Sequence, residues 1–150
     1  MRRDQLEHAI RTACQIIGHR EVIVIGSQSI LGTFRDDQLP AGATMSIEVD
    51  LETSALPEGR RGRLVKVQNT NTAAPSGEPQ FTGWCLDKED LCVAKLCALR
   101  EKDRNFVAAL VNAALVNAGL VDVPTIMARL ATVAARHRRA ADRTAAWLRG

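Results

Sequence analysis

The chain has no tyrosine and only two tryptophans and three phenylalanines in 150 residues. Proteins that bind single-stranded nucleic acid without sequence preference stack bases on aromatic faces, so that class is disfavoured. Histidine is as scarce. His8 and His19 lie in and just after the first helical stretch and His137 stands in an arginine cluster, so no serine–histidine–aspartate or histidine metal spacing is visible, which argues against acyl transfer and zinc hydrolysis. Cys14, Cys85, Cys92 and Cys97 form no C-x-x-C pair, and three of them lie in or beside apolar patterns, as reduced core residues do. No apolar run approaches the roughly 20 residues that cross a bilayer. The first residues, with Arg2, Arg3, Asp4 and Glu7, lack the apolar stretch of a secretory signal. A cytoplasmic protein of bacterial type, with no membrane partner, is the expectation.

What is present suits one globular domain: 46% hydrophobic and 25% charged residues, with a net charge of only +3. Apolar residues at Leu6, Ala9, Ile10, Ala13, Ile16 and Ile17 keep a helical rhythm between Asp4, a candidate cap, and Gly18, a candidate stop. Val22 to Ile25 is a continuous β-branched run, the pattern of a central strand covered on both faces. Ser27 suits the cap of a short helix through Leu31, followed by a loop over residues 32–43. Met45, Ile47, Val49 and Leu51 alternate with Ser46, Glu48, Asp50 and Glu52, which predicts a strand with one core face and one polar face. Further strands are predicted at Leu64–Val67 and Phe81–Cys85, separated by a loop over residues 69–79. From Asp87 the character is helical: one helix to about Lys102, a second from about Arg104 to Asn117, and a third from Pro124 into the basic tail. The expected fold class is α+β, with a sheet region over 1–86 and a helical region over 87–150 packed on it as one compact unit.

Three features carry chemistry. After a buried strand, Gly26 permits a sharp turn without a side chain to block a ligand, and Ser27 opens a helix whose free N–H groups suit a phosphate. Any strand-to-helix turn also favours glycine and serine. Glu48 and Asp50, two apart on a strand, share a face and can hold one divalent cation between their oxygens. A half-exposed strand alternates apolar and acidic residues for solvation as well. Lys95 is the one charge in the apolar run Leu91–Leu99, so it either reaches solvent or is paired with an anion such as a bound phosphate. Asp103 has a structural use as the cap of the helix beginning near Arg104.

Taken in order, Ile25-Gly26-Ser27, Ile47-Glu48-Val49-Asp50 and Asp90-Leu-Cys-Val-Ala-Lys95-Leu96 with Arg100-Glu-Lys-Asp103 resemble the nucleotidyltransferase superfamily. The resemblance is to AbiE-type abortive-infection toxins and a related uncharacterised bacterial family, and it spans roughly Met1 to Ala118. It implies a polymerase-β-like mixed sheet in which Gly26 and Ser27 hold a nucleoside triphosphate, Glu48 and Asp50 bind Mg²⁺ or Mn²⁺, and Lys95 contacts nucleotide phosphate. Asp103 matches the acid after the lysine helix, which makes Asp50, Lys95 and Asp103 the catalytic set. The implied reaction transfers a nucleoside monophosphate to a tRNA or protein hydroxyl, in a toxin–antitoxin setting with an antitoxin partner. Two departures stand out. Glu48 replaces the more usual aspartate, and the four residues between Leu51 and Leu56 stand where relatives carry a longer segment with a helix, so no third metal ligand is assigned. Two other readings remain: a catalytically inactive binding module on the same scaffold, and an RNA-binding protein acting through the tail of Arg136, Arg138, Arg139, Arg143 and Arg149.

Overall fold

Leu6, Ile10 and Cys14 recur every four residues and are all buried, so the first helix, α1 (Arg3–Ile17), turns this stripe to the protein. Ile16, at 79% exposure, and Ile17 fall off the stripe, and Cys14 takes the place expected of them. Gly18 ends the helix in the left-handed conformation, φ 71°, with its N–H on the Cys14 carbonyl. The cap is Arg2 rather than Asp4, which sits in the first turn and pairs with Arg2 at 3.0 Å.

The computed structural model describes residues 1–46, 50–52, 63–68, 81–98, 100–116, 120–133 and 138–149. Its elements after α1 are β1 (Glu21–Ile25), 3-10 helices at Ser27–Gly32 and Asp36–Gln38, the short helix α2 (Ala41–Thr44), β2 (Asp50–Glu52), β3 (Leu64–Gln68) and β4 (Thr82–Leu86). Four more helices follow, α3 (Lys88–Ala98), α4 (Glu101–Val116), α5 (Val123–Leu130) and α6 (Arg138–Arg149). The chain is α+β. It divides into two compact units, Met1–Gln38 with Thr44–Asp87, and Leu39–Ala43 with Lys88–Gly150.

The first unit is built on a mixed four-stranded sheet in the order β2-β1-β4-β3. β1 runs antiparallel to β2 and parallel to β4, and β3 is antiparallel to β4. Val22, Val24, Gly83, Cys85 and Val67 are buried on one face, against α1 and the 3-10 helix at Ser27–Gly32. The approach is close. A Cβ on Gly83 would stand 2.4 Å from Ile10 Cδ1, and one on Gly32 would stand 2.6 Å from Cys85 Cβ, so both positions accept only hydrogen without local displacement.

The other face is not covered to the same degree: Glu21 and Lys66 are exposed, and Ile23, Ile25 and Trp84 are half-buried. Trp84 donates from Nε1 to Glu21 at 3.3 Å, and the Lys66 ammonium stands 5.8 Å from its ring centroid. β1 is therefore an interior strand buried on one face, which corrects the expectation of two covered faces. A β-branched run reports extended backbone, not the number of layers above it. Met45, expected in the core, is 81% exposed, and the described part of β2 is Asp50–Glu52. Ile47, Glu48 and Val49 lie outside the described residues.

The second unit centres on α3, which packs against α4, α5 and α6. The helix expected to reach Lys102 stops at Ala98, and a new one opens where Asp103 and Arg104 both donate their N–H groups to the Arg100 carbonyl. Asp122 caps α5 by accepting from Thr125 N at 3.0 Å. α5 ends at Leu130 instead of running into the basic tail, and Arg138, opening α6, donates to the Ala131 and Val133 carbonyls at 2.8 and 3.3 Å. Thr144 ties α6 to the Leu96 carbonyl at 3.4 Å. No described helix is long and apolar enough to cross a membrane.

Candidate functional site

At the end of β1 the chain reverses through Gly26, whose φ of 78° and ψ of −170° lie where side chains are strained. The expected short helix is present as a 3-10 helix from Ser27 to Gly32, and the residue at its cap is Gly26 instead of Ser27. Both Gly26 and Ser27 are half-buried. Behind them the turn is locked by Ser29, fully buried, whose hydroxyl donates to the Val24 carbonyl at 2.6 Å. Arg3 reaches under the far end of the same turn, bonding the Leu31 carbonyl and, at 3.2 Å, the Gly32 carbonyl, while Glu7 pairs with it at 3.2 Å.

The register opposes Asp50 to Ile25, one residue before Gly26. Since opposed residues in an antiparallel pair are nearest neighbours across the ladder, the backbone of Asp50 is adjacent to the turn. Gln28 strengthens that juxtaposition. It is 1% exposed, and its Nε2 donates to the carbonyl of Ser46, on the approach to the acid-bearing strand. Among the described residues its buried Oε1 meets no partner. An orphan acceptor of this kind costs about 1–3 kcal/mol. Sequence reasoning missed Gln28, and the only available signal was an amide beside a glycine–serine turn.

Lys95 and Asp103 meet in the second unit. Asp103, with no exposed side-chain surface, accepts from Lys95 Nζ at 3.1 Å and from Arg100 Nε at 2.6 Å, with Arg100 Nη2 at 3.3 Å. Lys95, whose side chain is 12% exposed, also stands 5.5 Å from the ring centroid of the buried Phe106. Burial pushes the Asp103 carboxyl up, but the hydrogen bonds from Arg100 and Lys95 and the charge of both outweigh it, and the group is held below the ordinary aspartate range. The anion that Lys95 needs is thus supplied from the next helix. Asp103 lies in the first turn of α4 rather than at its cap. Leu99 lies outside the described residues.

A second buried acid was not foreseen. Glu89 accepts from the N–H of Asp122 at 3.0 Å and pairs with Lys88 at 3.3 Å, while Asp90 pairs with Arg129 at 3.3 Å, so the acids at the start of α3 hold α5. In the sequence, Lys88-Glu-Asp90 has the look of a solvated helix start.

All four cysteines are free. Burial pushes the Cys85 thiol up to about 12 against the pull of Arg3, raises Cys14 with help from the Glu21 charge, and raises Cys97, so these are poor nucleophiles. Among the described residues no three His, Cys, Asp or Glu side chains gather to hold a metal ion. Glu48 lies outside those residues, and Asp50 is described through its backbone. The chain matches no protein-family model, and no curated protein or solved structure matches it significantly.

Proposed function

We propose that the β1 turn and the acid-bearing strand beside it form the metal and triphosphate site of a nucleotidyltransferase. The observation that carries this reading is the register of Asp50 opposite Ile25, adjacent to a positive-φ Gly26 followed by Ser27. A divalent cation, Mg²⁺ or Mn²⁺, suits a pair of carboxylates two residues apart on a strand, with triphosphate oxygens completing its shell. Bound there, it would neutralise charge building on the phosphates as an acceptor hydroxyl displaces pyrophosphate. In this reading Glu48 and Asp50 hold the cation, and Gly26 and Ser27 leave room for the phosphate chain. Lys95 and Asp103 enter it through the resemblance, and within their own unit each meets the other's charge. An RNA or protein hydroxyl as acceptor, and a toxin role with an antitoxin, belong to the same proposal.

Isothermal titration of the full chain with each of the four NTPs, with and without Mg²⁺, tests it. Binding of at least one NTP that disappears on chelation is the expected result. Absence of binding in all eight titrations removes the reading.

A second reading is favoured by α6. Its four arginines, Arg138, Arg139, Arg143 and Arg149, are all exposed and face one aspartate, Asp142, so this helix alone carries a charge of +3, equal to that of the whole chain. Its buried Thr144 is held by α3. Such a face suits a phosphate backbone. If it binds RNA, affinity for an RNA hairpin falls steeply with salt, and Arg139→Gln with Arg143→Gln flattens the log–log slope by roughly 2 units. An unchanged slope excludes this face.

A further inference from the structure

Arg138 is the first residue of α6, and a cation there is misplaced for its own helix, since the free N–H groups of a helix start already carry partial positive charge. It is well placed for another helix. Its Nη1 donates to the Ala131 carbonyl at 2.8 Å and its Nη2 to the Val133 carbonyl at 3.3 Å. Both carbonyls lie where the chain leaves α5, so the guanidinium fork closes that end and its charge meets the negative pole of α5.

Arg139 and Arg143 are placed differently. They stand one turn apart on the same side of α6, and both are exposed. Like charges at that spacing repel, and Arg143 turns back toward Arg139, donating from Nε to its carbonyl at 3.4 Å. Such a pair suits a partner that brings negative charge to both, as the phosphates of a nucleic-acid strand do. Another side of α6 is already taken, since the helix packs on α3 and α5 and its buried Thr144 donates to the Leu96 carbonyl at 3.4 Å. A partner therefore meets the charged side of this helix, which favours a phosphate backbone over insertion of an apolar face into a lipid layer.

We infer that the arginines of α6 divide their work: Arg139 and Arg143 contact RNA phosphates, whereas Arg138 contacts none and is a positioning residue that fixes the start of α6 against the end of α5. The inference rests on the RNA-binding reading of this helix and assigns roles within it.

The test is the affinity of the full chain for an RNA hairpin, read by fluorescence anisotropy over a series of salt concentrations. It compares the unaltered protein with Arg138→Gln, Arg138→Lys, Arg139→Gln and Arg143→Gln. The slope of log affinity against log salt counts the phosphates contacted. Arg139→Gln and Arg143→Gln are each expected to flatten it by roughly 1 unit, with the loss of affinity greatest at low salt. Arg138→Gln is expected to leave the slope unchanged and to weaken binding about fivefold at every salt concentration, because the contacting pair is no longer held in place. Arg138→Lys keeps a charge for a phosphate but lacks the fork that spans two carbonyls, so it too is expected to weaken binding at unchanged slope.

A slope flattened as much by Arg138→Gln as by Arg139→Gln, or full affinity in either Arg138 variant, overturns the inference and leaves the RNA reading intact. Should Arg138→Gln not fold, as judged by circular dichroism, the affinity of Arg138→Lys decides. Unchanged slopes in both Arg139→Gln and Arg143→Gln, or no hairpin binding by the unaltered chain, remove the RNA reading of α6 and the inference with it.

Discussion

Replacing Asp103 with alanine is expected to destabilise the chain at pH 7 by about 3 kcal/mol, the lower part of the range for removing one partner from a buried charge pair. The carboxylate is wholly buried and receives both Lys95 and Arg100. Its loss strands the Lys95 ammonium at 12% exposure, whereas Arg100, more than half exposed, returns to water. Against a typical folding stability of about 5–15 kcal/mol this is a large fraction. Lys95→Met should cost less, because Arg100 still answers Asp103. Urea denaturation of the three proteins measures the order, and an Asp103→Ala chain as stable as the unaltered one refutes the network.

The same pair sets a pH dependence. Because the folded carboxyl titrates below its ordinary value of 3.8, its contribution is complete above that value and is lost as pH falls through it toward the lower folded value. The stability gap between the unaltered chain and Asp103→Ala should therefore be constant near neutrality and close below about pH 4.

At the proposed site, Asp50→Asn is expected to lower metal-dependent pyrophosphate release by about a thousandfold, the equivalent of roughly 4 kcal/mol of lost charge stabilisation in the transition state. The substitution keeps size and polarity while removing the charge, so the fold should be unaffected as judged by circular dichroism. Ser27→Ala, which removes only a hydroxyl beside the turn, should cost far less. Turnover by Asp50→Asn at the rate of the unaltered chain ends the case for a cation at this strand.

Much of the local structure was legible because it depends on neighbours in the chain. Gly18 ends α1 since only a residue at ease with positive φ closes that helix, and Pro124 stands in the first turn of α5, where its missing N–H costs nothing. The strands at Leu64 and Thr82 begin within a residue of their predicted starts. What misled was any inference from pattern to partner. Ile16 and Ile17 keep helical rhythm with Leu6 and Ile10, yet the packed stripe runs through Cys14, because the sheet is met by only one line of residues.

The amino-acid order alone was enough for the α+β class, the glycine turn, the reduced thiols and the acid pair as candidates, since these follow from alternation, rhythm and backbone freedom over a few residues. Contact across distance in the chain settled the rest. It showed that Lys95 is answered by a carboxylate eight residues on, that the buried Glu89 accepts from the Asp122 N–H, that Asp50 comes to lie opposite Ile25, and that the Gln28 amide reaches the Ser46 carbonyl. The reason is physical: charge pairing and buried hydrogen bonds are set by which surfaces exclude water together, and no short window of sequence records that.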